Sequence, residues 1–91
     1  MSRTHVLTTE TIESYQNLGA VVLRGVFNAQ EIKILEQGIE HNLAHLSDLV
    51  QVASQPNDPG RFVEDFCTWP SNPSYQSILL NSTLPHLAAQ L

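Results

Sequence analysis

Two imidazoles stand four positions apart in the run His-Asn-Leu-Ala-His, residues 41–45. On a helix that spacing projects both rings from one face, with Asp48 close to His41 around the axis. His41, His45 and Asp48 together offer three ligand types, enough for a zinc site that leaves a fourth position to water. The simpler reading is a solvent-facing helix end, where a protonated imidazole meets the negative pole of the helix. We prefer that reading, because no cysteine or second cluster completes the shell, and expect the chain alone to bind no metal or cofactor. Glu64 and Asp65 are adjacent acids among aromatics. Neighbours on a strand point apart, which argues against a shared acid–base role and leaves a structural role or a place in the lining of a substrate pocket. Arg61, beside Phe62, is a candidate for contact with an anionic substrate in a whole protein, though a surface charge ending the loop is the simpler reading. Cys67 has no histidine after it before His86, and is expected to be a buried, inert thiol.

The elements that would carry these residues are legible in part. A first helix is expected after Thr8, with Leu7 and Ile12 as a hydrophobic staple, Glu10 in the first turn, and Gly19 as the left-handed stop. Ile12, Tyr15 and Leu18 share one of its faces. The run Ala-Val-Val-Leu-Arg-Gly, residues 20–25, reads as a short strand through its adjacent β-branched valines. Asn28 and Glu31 form a capping-box signature for a second helix. Along it Ile32, Leu35, Ile39, Leu43 and Leu46 recur at helical spacing, so this stripe is expected to be core, with both histidines facing away. The helix should end between residues 45 and 53. Residues 54–60, Ser-Gln-Pro-Asn-Asp-Pro-Gly, are a loop. A second strand is expected within residues 61–69, then a helix capped by Asn72 with Pro73 at its first position, and a last helix opening near Ser82 or Thr83.

Composition excludes several functions. Four Lys and Arg (Arg3, Arg24, Lys33, Arg61) against nine acids give a net charge of −5. No basic patch exists to displace counterions from nucleic acid or to hold an anionic membrane. The longest apolar run, residues 19–23, is far too short to span a bilayer, and Met-Ser-Arg-Thr-His lacks the apolar core of a signal peptide. One cysteine permits no internal disulfide. A cytoplasmic protein is expected.

Residues 7–39 resemble the amino-terminal signature of the phytanoyl-CoA dioxygenase family. There a helix ending in Tyr-x-x-x-Gly leads into a valine-rich strand, then Arg-Gly-Val and a second helix. The matching residues are Tyr15, Gly19, Val21, Val22, Leu23, Arg24, Gly25, Val26 and Phe27. Residues 61–91 resemble the section that approaches the catalytic barrel, and Phe-Val-Glu-Asp-Phe-Cys-Thr-Trp is more similar to members acting on small polar substrates, including organophosphonates, than to those acting on fatty-acyl ones. The resemblance implies an oxygenase dependent on Fe(II) and 2-oxoglutarate, built on a double-stranded β-helix, with iron held by His-x-Asp and a distant His. Trp69 and Tyr75 would then pack against the barrel. None of this chain's histidines fits that motif: two residues after His5, His41, His45 and His86 stand Leu7, Leu43, Ser47 and Ala88. A barrel domain commonly takes on the order of 200 residues.

The expected fold is therefore α+β and mostly helical, with one or two short strands that would flank a missing cupin-like barrel. Residues 1–91 would be an incomplete amino-terminal segment of one oxygenase domain. Its partner would be that missing carboxy-terminal barrel, with self-association through apolar surface when alone, and without nucleic acid or membrane. The alternative is a stand-alone helical interaction module without catalytic activity.

Overall fold

The computed structural model describes residues 6–91. The expectation about a signal-peptide core in residues 1–5 lies outside them. Helix α1 (Thr9–Leu18) opens where Thr8 Oγ1 accepts from Thr11 N at 3.1 Å, and closes on Gly19, φ 81°, whose N–H donates to Tyr15 O at 2.8 Å. A residue with a side chain would be strained in that left-handed conformation. Helix α2 (Ala29–Ala44) carries both arms of the capping box: Glu31 N donates to Asn28 Oδ1 at 2.8 Å, and Asn28 N to Glu31 Oε1 at 2.9 Å.

Strands β1 (Gln51–Val52) and β2 (Val63–Glu64) form an antiparallel pair, Gln51 facing Glu64 and Val52 facing Val63, with the expected loop between them. A 3-10 turn (Trp69–Ser71) then leads into α3 (Pro73–Asn81), capped by Asn72 with Pro73 at its first position. Helix α4 (Leu84–Gln90) follows at once, Ser82 Oγ accepting from Leu84 N at 3.1 Å. The chain is mostly helical with one short two-stranded sheet, as expected in outline.

Three expectations need correction. Residues 20–25 form no strand. Their burial still alternates, Val21 and Leu23 half-buried, Val22 and Arg24 exposed, but the sheet among the described residues is built by β1 and β2, and offers this run no ladder. The stripe on α2 is not core as a whole: Ile32, Ile39 and Leu43 are exposed, whereas Gly38 is buried and Asn42 half-buried. At about 100° per residue, Gly38 and Asn42 lie to one side of the stripe, and that side meets α3. The smallest residue permits the closest approach, so it selects the packed face over the more apolar one. Cys67, expected to be buried, is exposed and sits at φ 56°, a left-handed kink between β2 and the 3-10 turn that carries its side chain outward.

The core is small. Ile78 and Leu87 are the buried apolar side chains among the described residues. The radius of gyration, 16.2 Å, exceeds the roughly 12 Å of a compact domain of this length. Accessible surface is 6996 Å², against about 5,300 Å² for a folded monomer of this mass.

Candidate functional site

The densest polar constellation lies where the end of α2, β2 and α3 meet. Asn42 arrives from α2, Ser47 from just past its end, Asp65 from just past β2, and Tyr75 from the first turn of α3. Asp65 Oδ2 accepts from Asn42 Nδ2 and from Ser47 N, each at 2.9 Å. Its Oδ1 accepts from the Ser47 hydroxyl and from Phe66 N, the latter at 2.9 Å. Four donors thus fill the four acceptor positions of one carboxylate. The Ser47 hydroxyl and N–H, chiefly, hold the Asp65 carboxyl down at about 2, with Phe66 N–H and Asn42 adding to the effect against a partial loss of hydration.

The Asn42 carbonyl is filled in turn: its Oδ1 accepts from Thr68 Oγ1 at 3.1 Å and from the Tyr75 hydroxyl at 3.2 Å. Burial, and then the negative charge of Asp65, raise the Tyr75 hydroxyl above its ordinary range, so it stays a donor. One turn earlier Asn72, buried, donates from Nδ2 to Gly38 O at 2.9 Å and accepts from Tyr75 N at 3.2 Å. The Tyr75 ring lies flush on the α2 backbone: a Cβ on Gly38 would sit 2.8 Å from its Cδ1 and Cε1. These residues form a clasp, in which Asn42, Asp65, Asn72 and Tyr75 each bond to a distant part of the chain.

An apolar trough runs beside the clasp. One cavity of about 430 Å³ lies between Val21, Leu23, Phe27 and Ile32 on one wall and Leu84, Leu87 and Leu91 on the other. A second, of similar volume, continues past Phe27 and Leu84 to Leu35, Trp69, Tyr75 and Leu79. Tyr75 therefore serves both regions, its hydroxyl in the clasp and its ring on the trough.

The residues singled out from sequence fall in separate places. Asp65 is half-buried and central to the clasp, while Glu64 is exposed and paired across the sheet with Gln51. Arg61 is exposed at the end of the loop, where it lines a shallow depression with Val52, Gln55, Pro56 and Asp58. The His41 and His45 rings stack, centroids 4.4 Å apart and 22° from parallel. Asp48 does not join them: among the described residues no three His, Cys, Asp or Glu side chains gather to hold a metal ion.

Asn42, Ser47, Thr68 and Gly38 were not singled out by sequence reasoning. Two signals for them exist: a glycine inside a strong helical pattern marks a close approach, and Asn42 interrupts the packed side of α2 with a polar group. Compared with known proteins, the chain matches no family model, no curated protein and no solved structure.

Proposed function

We propose that the chain is the amino-terminal scaffold of a phytanoyl-CoA-dioxygenase-like oxygenase dependent on Fe(II) and 2-oxoglutarate. In the complete protein it covers a catalytic barrel in the cytoplasm and supplies no iron ligand. The observation that carries the reading is apolar surface left bare on the motif-bearing elements. Val22 is 72% exposed, Leu18 80%, and Ile32, Ile39 and Leu43 each at least 40%. Together with about 1,700 Å² of surface beyond that of a compact monomer, these faces suit a large partner better than water. In this reading Arg61 and Glu64 face the substrate side, and Asp65 holds the connection in place.

Reading the coding DNA beyond Leu91 tests the proposal. An open frame with His-x-Asp and a later His is expected; a stop there overturns it and favours the interaction module. Independently, the chain supplied with Fe(II), 2-oxoglutarate and oxygen should form no succinate above a metal-only blank. Turnover above that blank would remove the scaffold assignment.

A further inference from the structure

The pair His41 and His45 has a property that spacing alone does not reveal. His45 Nδ1 lies 3.0 Å from the backbone oxygen of His41. A carbonyl oxygen only accepts, so Nδ1 carries the hydrogen and the free lone pair of the neutral ring sits on Nε2. Fixing one ring nitrogen on a backbone carbonyl is the arrangement by which metal-ligating histidines are commonly oriented. The same carbonyl accepts from His45 N at 3.0 Å, so the ring is tied to the last turn of α2. The two rings are already stacked, 4.4 Å between centroids, and both side chains are exposed. Two nitrogens each about 2.0 Å from one ion at a right angle are roughly 3 Å apart. Small side-chain rotations bring stacked rings to that separation. The helix terminus adds its negative pole, which favours a cation.

We propose that His41 and His45 form a two-imidazole chelate for a first-row transition ion, with water in the remaining positions. Imidazole donors favour copper(II), nickel(II) and zinc(II), copper most strongly, and they give magnesium and calcium, which take oxygen ligands, no purchase. Asp48 is not needed. The chelate ties together the turn from which Asn42 reaches Asp65, so a bound ion stabilises the clasp by mass action. The proposal is independent of the oxygenase reading, because these residues lie outside the resembled iron motif.

The test is calorimetric titration of the full chain with copper(II), nickel(II), zinc(II) and magnesium chlorides. One copper per chain is expected, bound more tightly than nickel or zinc, with no magnesium binding. His41→Ala and His45→Ala should each weaken copper at least tenfold, with helix content checked by circular dichroism, while His86→Ala should leave it unchanged. Substoichiometric copper added to the wild-type chain reads the site without substitution: the His41 and His45 ring signals should broaden first in the proton spectrum. Unchanged affinity in either variant, earlier broadening at His5 or His86, or absence of copper binding would overturn the chelate.

Discussion

The two halves of the chain hold themselves together by different means. In α1 and residues 20–27 the local signals are strong and the tertiary ones weak. Thr8 and Gly19 cap the helix at both ends, yet α1 buries no residue, and a contact recorded across the chain is Leu7 N donating to Gln90 Oε1 at 2.8 Å. From Gly38 onward the balance reverses. The β strands are two residues each and α3 is short, but Asn42, Asp65, Asn72 and Tyr75 tie α2, β2 and α3 through side chains separated by 23 to 34 positions. Capping fixes where a helix starts and stops; only long-range pairing fixes what it lies against.

Substitutions that separate the two halves sharpen this contrast. The largest effect is expected at Gly38. Gly38→Leu drives a side chain into the Tyr75 ring and should cost about 3 kcal/mol or more in urea unfolding, despite the better helix propensity of leucine. Asn72→Ala removes the cap of α3 and the bond from Asn72 Nδ2 to Gly38 O that joins α3 to α2, so a loss of about 2 kcal/mol is expected. A loss below about 0.5 kcal/mol at either position, the range of an ordinary surface change, would mean that the clasp does not organise the fold.

Acid should act on the same region. The Asp65 carboxyl is held at about 2 in the folded chain, below its ordinary 3.8, so the unfolded state binds the extra proton. Its stabilisation is present above pH 3.8 and is lost as pH falls through about 2. Asp65→Asn should flatten the stability profile across that window and leave the slope at neutral pH unchanged. Tyr75 works at the other extreme. Its raised hydroxyl favours the protonated form when folded, so stability is retained below pH 10 and declines as pH rises through the folded value; Tyr75→Phe should remove that decline. The smallest effect belongs to the first half: Leu18→Ser, on a helix that buries nothing, should shift stability by less than about 0.5 kcal/mol. A larger loss would show that α1 is packed in solution.

Local chemistry was readable where short segments decide for themselves. Asn28 and Glu31 satisfy each other across three residues, Pro73 needs no N–H at a first helical position, and the Pro- and Gly-rich loop has no regular alternative. The errors arose where a decision depends on a distant partner. Val21, Val22 and Leu23 have strand chemistry, but a strand exists only when another lies beside it. The α2 stripe was the most apolar face, yet Gly38 admits the Tyr75 ring more closely than Ile39 does. From sequence Asp65 reads as a structural or pocket-lining acid, and Asn42 as one polar interruption of an apolar side. Their roles rest on Ser47, Thr68 and Tyr75 arriving from three separate segments.

The sequence by itself determined the helix starts, the stop of α1 at Gly19, the loop, the acidic charge and the outward direction of both histidines, because each follows from contacts within about one helical turn or from composition. Tertiary structure decided which face of α2 is covered, that Asp65 is saturated with donors, and that the Tyr75 ring lies on Gly38. Those outcomes depend on atoms brought together by the path of the backbone, and on packing at distances where a single Cβ changes the answer.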